Sequence, residues 1–408
     1  MKKNKVMISL FLICLLSINF VSCIGKKKEQ NNGTLDVYVD IQDRHSLKIV
    51  DFLIKSFEEK NQNIKINMVN PMNKDKNIMQ TIDSGKNVDL IISNMQNVLF
   101  LENKGLISDF TQQYNNFIND KYYQVYISYS KIGGMPYGIG ITPYTIELAY
   151  NKDECKKLIG KEPKDVNDYL LLLKSCKDKG IKIPYLLNED LDIREVLFGI
   201  FNGDNVKQEE LINNYSDKIE DYAKIKGFDE TFKALDKYIK SGYISESSFE
   251  KMDEKDIDKF ISGKSPVLIT TSFFSNKLNK GNISFLKEMG MMGERKILIP
   301  VYMNSFICGL EQGTNKDQKD KFIEYIISEE VQKQLVENGY ITANKAANKK
   351  FTGTSGEIVE HLYGANATNI IYKGNVTVEV DKKVKEILDK ILKGQYSENM
   401  WKNSLIKK

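Results

Sequence analysis

Histidine, tryptophan and cysteine are all scarce in this sequence. The 408 residues include one tryptophan, five cysteines and two histidines, His45 and His361. Two histidines leave little room for a histidine-based metal site or catalytic triad. The cysteines form no C-x-x-C pair, so neither a zinc knuckle nor a thioredoxin-like motif is available. We therefore predict no metal site and no disulfide framework, and we leave open whether Cys155, Cys176 and Cys308 pair.

An excess of charge of one sign is also absent. The chain has 59 Lys and Arg against 55 Asp and Glu, and its formal net charge of +4 is weak for this length. Such a balance does not favour a nucleic-acid partner. The hydrophobic fraction of 41% and aromatic fraction of 10% are typical of a globular protein. At about 150 residues per domain, the length indicates two or three domains or one large two-lobed unit.

The local motifs of nucleotide binding and catalysis are missing as well. No G-x-x-x-x-G-K-[ST] loop is present, and the G-x-G at Gly138 and Gly140 is followed by Pro143 in the wrong context. Acid pairs such as Glu209-Glu210 lie in polar helical stretches and are typical of solvated faces. We therefore predict no cofactor and no enzymatic activity. An exported hydrolase that draws two carboxylates from distant positions is the alternative.

The N-terminus has the pattern of a secretory signal. Three lysines precede an apolar run over residues 6–21, and Ser22 and Cys23 follow. The run is shorter than the roughly 20 residues that a membrane-spanning helix prefers. We predict a signal peptide over residues 1–22 and a polar, flexible tether over residues 23–33. The alternative is an ordinary secretory signal in which Cys23 lies beside the cleavage site by chance and has no role of its own.

Apolar periodicity predicts alternating strands and helices. Residues 35–39 alternate as a strand does, an apolar stripe starting at Ser46 predicts a helix, and residues 64–68 alternate again. This β-α-β unit predicts a parallel sheet. Further helices are predicted near 76–84, 96–103, 163–176, 315–338 (a pair) and 384–392, and further strands near 88–92, 266–271 and 297–301.

Polar side chains follow the first and third predicted strands. The first loop holds Asp43 and Arg44, and the second holds Asn94. In open α/β sheets, ligands bind beyond the carboxyl ends of the strands. We therefore predict that Asp43, Arg44 and Asn94 hydrogen-bond a polar ligand. The alternative is that these loops are polar only because loops are exposed.

Five segments, in order along the chain, carry a family resemblance. The most specific reads GGMPYGIGITPYTIELAYNKD, over residues 133–153. Together the five resemble the extracellular solute-binding lipoproteins of bacterial ABC importers, in particular the oligosaccharide-binding branch that includes the maltose-binding protein. The five segments are 57–69, 83–94 followed by 101–110, 133–153, 260–274 and 319–347.

The resemblance implies a two-lobed α/β clamshell of the type II periplasmic-binding-protein class, with a ligand cleft between the lobes. Matching the segments puts the crossings between lobes near Pro143–Ile146 and Met303–Cys308. The cleft closes around its ligand by a hinge motion. The implied lobes are 34–143 with 304–347, and 144–303 with 348–408.

The resemblance also implies the function of the chain. It would capture a polar solute, with a sugar or oligosaccharide as the family default, and deliver it to ABC permease subunits as a monomer. Cys23 stands where the family's lipobox places the lipid-bearing cysteine, so we expect a lipid-anchored protein on the extracellular side of the membrane. A sensor or adhesion factor with the same fold, and a binder of an amino acid or polyamine, are the alternatives.

Aromatic residues near the cleft are the last prediction from the resemblance. Phe273 matches the family's main stacking aromatic, and Tyr144 matches a position that lines the cleft. Tyr302 lies at the second crossing, where packing in the hinge is an equal alternative. Sugar rings stack on such faces. The single tryptophan, Trp401, is predicted to pack in the C-terminal helix.

Overall fold

The structure is a computed structural model that describes residues 33–69, 78–202, 205–287, 291–292, 295–296 and 298–406. The predicted signal peptide, Cys23 and the tether as far as residue 32 lie outside the described residues. Within the described residues, no helix combines the length and apolar character needed to cross a membrane.

Short strands recur along the described chain, as the alternating pattern predicts. In chain order they are β1 (Gly33–Asp40), β2 (Ile64–Met68), β3 (Leu90–Ser93), β4 (Ile107–Ser108), β5 (Lys131–Ile132), β6 (Met135–Pro136), β7 (Ile139–Gly140), β8 (Tyr144–Asn151), β9 (Ile183–Leu186), β10 (Phe249–Lys251), β11 (Val267–Thr271), β12 (Ile283–Phe285), β13 (Met291–Met292), β14 (Arg295–Lys296), β15 (Val301–Tyr302) and β16 (Phe306–Leu310).

Helices separate most of these strands. In chain order the α-helices are α1 (Arg44–Lys60), α2 (Ile78–Asp83), α3 (Met95–Asn103), α4 (Thr111–Gln113), α5 (Gln124–Tyr129), α6 (Lys152–Ile159), α7 (Val166–Asp178), α8 (Ile193–Asn202), α9 (Gln208–Asn213), α10 (Lys226–Lys240), α11 (Ile257–Ile261), α12 (Ser275–Leu278), α13 (Lys316–Ile326), α14 (Glu329–Glu337), α15 (Gly353–Gly364), α16 (Val378–Leu392) and α17 (Met400–Leu405). A π-helical turn covers Tyr114–Ile118, and 3₁₀ turns include Ser272–Phe274 and Tyr372–Asn375.

Two six-stranded sheets organise the fold. The first has the order β2-β1-β3-β16-β4, with β7 paired to β16, and the second has the order β10-β9-β11-β8-β12, with β15 paired to β8. The first is parallel where β1 pairs with β2 and β3, but β16 runs antiparallel to β3. The parallel sheet predicted from the β-α-β unit is therefore a mixed sheet, because a strand from late in the chain enters it.

The chain changes sheet where short linkers follow β7 and β15. Residues 141–143 connect Gly140 of the first sheet to Tyr144 of the second. Residues 303–305 lead back from Tyr302 to Phe306. Both linkers are fully buried, so the two sheets meet through ordered backbone rather than through an exposed tether.

Apolar faces hold the helices against the sheets. In α1 the buried positions recur every three or four residues, as one helical face requires; they include Ile49, Val50, Leu53 and Phe57. In the second half of the molecule, Trp401 of α17 is fully buried and stacks on Phe228 of α10, with ring centroids 4.4 Å apart. Trp401 therefore packs as predicted.

Two predicted boundaries are wrong for identifiable reasons. Helix α1 begins at Arg44 rather than Ser46, because Asp43 accepts the Ser46 amide as an N-cap. The strand predicted over 297–301 is wrong over residues 298–300. The short strand β15 begins only at Val301, directly after Pro300, whose lack of an amide hydrogen prevents it from donating to a ladder. Residue 297 lies outside the described residues.

Three cysteines of the described chain are free and buried: Cys155, Cys176 and Cys308. Burial raises the pKa of all three thiols, to about 12 for Cys155 and about 11 for Cys176. They behave as small apolar core residues, and the open question of their pairing is answered: they do not pair with one another.

Candidate functional site

The N-terminus of α1 presents one predicted site residue to the second sheet. Asp43 is fully buried and accepts hydrogen bonds from the amide and the hydroxyl of Ser46, both at 2.7 Å. Its other carboxylate oxygen accepts from Asn188 Nδ2 at 3.0 Å, on the loop after β9. Burial disfavours the charge on Asp43, but hydrogen bonding with Glu189, Ser46 and Asn188 outweighs it and lowers its pKa.

Hydrogen bonds extend from this contact into both sheets. Asn188 Oδ1 accepts from the hydroxyl of Thr271, the last residue of β11, at 2.6 Å. Ser46 Oγ also donates to Asn304 Oδ1 at 2.9 Å, in the second linker. A continuous polar chain therefore runs from helix α1, which packs on the first sheet, to strand β11 of the second.

Aromatic rings line the same region. Tyr144 and Tyr302 pair across β8 and β15, with their rings edge to face at 5.5 Å, and both are almost fully buried. Phe273 lies 4.8 Å from Tyr144, between ring centroids. Phe273 is only partly buried, and its ring also stacks on His45 at 5.8 Å and meets Tyr340 at 6.4 Å. Tyr144, Tyr302 and Phe273 therefore form one group of contacting rings.

Ion pairs close the outer edge of the cluster. Arg44 Nε lies 3.0 Å from Glu189 Oε1, and Arg44 Nη2 lies 3.6 Å from Glu254 Oε2. Lys277 reaches the same Glu254 at 2.7 Å, and His45 Nε2 lies 3.8 Å from it. These groups are partly exposed, so each pair contributes little to stability by itself. Together they position the α1 terminus against the second sheet.

Asn94 is the predicted site residue that the cluster does not include. Its side chain caps helix α3 by accepting the amide of Asn97 at 3.0 Å. Among the described contacts, it makes none to the cluster. The structure thus brings Asp43, Arg44, Tyr144, Phe273 and Tyr302 together, as predicted for a shared cleft, and places Asn94 in a capping position. We name the assembled set, together with Asn188 and Asp190, the cleft cluster.

Asp190 gives the cleft cluster its unusual electrostatics. Its Oδ1 accepts from the Tyr144 hydroxyl at 3.4 Å. Burial, and then the charge of Asp43, raise the pKa of Asp190 to about 6, while Lys373 and Asn304 oppose the rise. Burial also raises the pKa of Tyr144 and Tyr302 well above the ordinary value, and the charge of Asp190 adds to both.

A profile of the bacterial extracellular solute-binding proteins matches residues 53–359, which is most of the chain. The chain belongs to this family. A search of curated protein sequences gave no match.

Solved structures of similar fold agree with the family. A family 1 extracellular solute-binding protein from Bifidobacterium longum subsp. infantis superimposes with a TM-score of 0.66 at 18% identity, over 91% of this chain and 97% of that one. An ABC substrate-binding protein from Listeria monocytogenes in complex with cycloalternan gives 0.64 at 16%, over 92% and 97%. The sugar-binding protein MalE from Xanthomonas citri gives 0.64 at 14%, over 91% and 95%. The predicted type II periplasmic-binding-protein-like fold is confirmed.

The sequence interpretation missed several polar residues of this solute-binding protein. Asn188 and Asp190 follow β9, a four-residue strand that the periodicity did not predict. Asn304 lies within the predicted second crossing, but nothing in the sequence distinguished it from its neighbours. The polar run Asn188 to Asp192 after an apolar stretch is the signal that could have indicated a loop at a strand end.

A buried ionic network supports the loop that carries Asp190. Lys373 donates to the backbone oxygen of Asp190. It also donates to both carboxylate oxygens of Glu195, and these two hydrogen bonds are 2.9 Å long. Glu195 is fully buried and also pairs with Lys385 at 3.0 Å. Removing one partner of such a buried pair leaves an uncompensated charge, so this network fixes the position of the cleft wall in the solute-binding protein.

The cleft cluster combines hydrogen-bonding side chains with apolar rings, which is the usual composition of a ligand pocket. Among the described residues, no group of three or more His, Cys, Asp or Glu side chains is arranged to hold a metal ion.

Proposed function

We propose that this protein captures a polar solute, a sugar or oligosaccharide, outside the membrane and delivers it to ABC permease subunits. The observation that carries this proposal is the cleft cluster itself. It joins Asp43 and Arg44 of helix α1 to Asn188, Asp190 and Phe273 of the second half of the molecule. A solute held there contacts both halves and therefore stabilises their closure.

The division into lobes belongs to the same proposal. We retain 34–143 with 304–347 as one lobe and 144–303 with 348–408 as the other. The membership of the strands in the two sheets supports this division, with changes of sheet at residues 141–143 and 303–305. The linkers would then be the hinge, and the ion pairs of Arg44 would break when the lobes separate.

The carbohydrate assignment is supported by the rings and hydrogen-bonding groups of the cleft. Tyr144 and Phe273 offer apolar faces of the kind that sugar rings stack on. Of the similar structures, one is a chitin oligosaccharide-binding protein and another was solved in complex with cycloalternan. The protein itself contributes binding and no catalytic step.

We also propose that the mature protein is anchored through a lipid on Cys23, at the extracellular face of the membrane, as a monomer. The support is the order of lysines, apolar run and Ser22-Cys23 at the start of the sequence. An anchor beside a short polar tether keeps the captured solute close to a permease.

A thermal-unfolding screen tests the proposed function. The panel contains maltotriose, chitobiose, xylotriose, amino acids, polyamines and phosphates. A compound that binds only the folded state raises the melting temperature. At a free concentration of a hundred times Kd, it stabilises the folded state by about 2.7 kcal/mol. Phe273→Ala is the matched variant and should lose most of the shift. A panel without a hit, or hits that persist unchanged in that variant, contradicts the proposal.

A further inference from the structure

Asp190 carries a carboxylate that has no cationic partner. None of the ion pairs among the described residues includes it. Lys373, a cation of the same wall, donates to the backbone oxygen of Asp190, while both oxygens of Glu195 bind its ammonium group. Asp43, the other carboxylate of the cleft floor, acts on Asp190 more strongly than Lys373 does. Asp190 is partly buried, and carboxylates that are removed from water are normally paired with a cation.

Polar atoms beside Asp190 are also without partners. The side chains of Asn304 and Asn375 and the hydroxyl of Tyr129 are almost fully buried. Asn304 Nδ2, Tyr129 Oη and both amide atoms of Asn375 have no hydrogen-bond partner. The Asn304 amide lies near enough to Asp190 to favour its charged form. Unpaired buried groups cost about 1–3 kcal/mol each, so they indicate a polar group that binds here.

Three tyrosines lie within electrostatic reach of Asp190. The charge of Asp190 acts on the hydroxyls of Tyr129, Tyr144 and Tyr302. A Cβ atom placed on Gly374, next to Asn375, would lie 3.0 Å from Tyr129 Oη. Tyrosine hydroxyls therefore lie near the carboxylate, and the segment next to Asn375 packs against one of these tyrosines, Tyr129.

The edge of the cleft carries an excess of negative charge, the same sign as the Asp190 carboxylate. Asp43, Glu189 and Glu254 contribute three carboxylates there, and only Arg44 and Lys277 are permanent cations among the described partners. Both cations already pair with Glu254 or Glu189. The cleft as a whole therefore presents more negative than positive charge to an entering molecule.

We propose that the captured solute carries a protonated primary amine, which the Asp190 carboxylate binds beneath the rings of Tyr144 and Tyr302. This inference rests on the proposed function and specifies its solute. A primary ammonium group has three N–H donors, and Asp190, Tyr129 Oη and Asn375 Oδ1 provide three acceptors. Tyrosine faces attract a cation through their quadrupole. A neutral hydroxyl group would leave the charge of Asp190 uncompensated.

Two kinds of solute contain this amine, an amino sugar and an aliphatic diamine, and a titration distinguishes them. Calorimetry near neutral pH and at low salt compares glucosamine with glucose and N-acetylglucosamine, and putrescine with its diol counterpart. The proposal predicts that the amine member of at least one series binds roughly ten- to a hundredfold more tightly than its neutral members. Glucosamine binding assigns the amine to a sugar, and putrescine binding assigns it to a polyamine.

Asp190→Asn tests the assigned residue, and Asp192→Asn is the matched control. Asp192 lies on the same loop, but both of its oxygens pair with Arg194, at 2.6 and 2.7 Å. The first variant should lose the preference for the amine at least tenfold, while the second should keep it. A melting curve of each variant establishes that it is folded, and Asp190→Glu, which keeps the charge, should restore part of the preference.

The outcomes separate this inference from the proposed function. If neutral sugars bind as tightly as their amine counterparts, or if Asp190→Asn keeps the preference, the inference is wrong and solute capture stands. If no sugar and no amine binds the wild-type protein, the proposed function fails, and the inference fails with it.

Discussion

Asp43 holds the start of a helix and the contact between the two sheets with one carboxylate. One oxygen accepts from Ser46 as an N-cap, and the other accepts from Asn188 across the cleft. The sequence alone could not separate these roles, since Asp followed three residues later by an apolar stripe is typical of a cap. The structure shows that capping and cleft formation are compatible in a single residue.

Phe273 is the residue whose substitution best separates binding from folding. Its ring is partly exposed and contacts Tyr144 from its own half and His45 from the other. We expect Phe273→Ala to weaken solute binding by about 1–3 kcal/mol, roughly ten- to a hundredfold. The melting temperature without solute should change much less. Calorimetric titration and a melting curve measure the two effects.

The adjacent Phe274 provides the control for that prediction. Its side chain is buried in the core, so Phe274→Ala should lower stability by about 3–5 kcal/mol, as truncated core aromatics do. A strong loss of melting temperature in Phe273→Ala, with affinity unchanged in the folded fraction, would show that Phe273 is a core residue instead.

We expect the Asp190 carboxylate to lower the stability of the folded protein, although it is the group that we propose binds the solute. Its pKa in the folded protein, about 6, is above the ordinary 3.8. The charged form is therefore disfavoured by folding, and this cost appears as the pH rises from about 4 to about 6 and persists above. We expect Asp190→Asn to raise the free energy of unfolding by up to about 3 kcal/mol near neutral pH and not below about pH 4. Urea unfolding at the two pH values measures this; equal effects at both contradict it.

Two kinds of observation predicted site residues. Asp43 follows the end of a predicted strand, where ligands bind in open α/β sheets, and the family resemblance implies that Tyr144 and Phe273 lie at the same cleft. Asn188, Asp190 and Asn304 could not be predicted, because local sequence does not indicate which distant loop they will face. Asn94 shows that the position after a strand is not sufficient, since a polar residue there can be a helix cap and nothing more.

Helix α15 is held on strand β8 by a buried pair. His361 Nδ1 lies 3.0 Å from Glu147 Oε2, and both side chains are almost inaccessible. Thr145 donates to the same carboxylate. Burial alone would lower the pKa of His361, but Glu147 opposes it more strongly, with smaller effects of Glu357 and Glu360, so its pKa is raised above 6.5.

This pair makes the stability of the element pH-dependent. Because the folded pKa is raised, the stabilisation is complete below about pH 6.5 and is lost as the pH rises through the folded value. We expect the free energy of unfolding to fall as the pH rises above about 6.5, by an amount that disappears in His361→Gln. Glu147→Gln should remove the same step, because it removes the charge. If the pH profile of the unfolding free energy has the same shape in the wild-type protein as in both variants, the pH dependence does not come from the His361–Glu147 pair.

At the scale of elements, strongly periodic segments could be predicted and short strands could not. The α1 and α16 stripes recur every three or four residues, and both are helices of the structure. Strand β9 has four residues and β15 has two. Such strands are defined by their partners in the sheet, which local periodicity does not contain.

At the scale of the whole molecule, a single substitution tests the proposed lipid anchor. We expect Cys23→Ala to release the protein from the membrane fraction, because the thiol that would carry the lipid is gone. Detergent phase partitioning of the two forms measures this. Cys155→Ala is a suitable control, since that thiol is buried in the fold. A Cys23→Ala protein that still enters the detergent phase would show that the N-terminus is not a lipid-attachment signal.

The contacts between the two halves of the molecule bear on how the protein would close around its solute. Contacts of Asp43 with Asn188, Ser46 with Asn304 and Arg44 with Glu189 join the α1 terminus and the second half in this structure. The family likeness extends over the whole fold, and the order of the sheets follows from it. The number of contacts across the cleft could not be predicted from the sequence, because each involves loops more than a hundred residues apart.

Small-angle X-ray scattering, with and without the sugar or amine that gives the largest thermal shift, tests the central claim most directly. If the chain is a clamshell that closes on its solute through the linkers 141–143 and 303–305, saturating solute should reduce the radius of gyration. Phe273→Ala at the same solute concentration should show a smaller reduction. A radius of gyration that stays unchanged, while calorimetry shows the site to be full, would contradict the account.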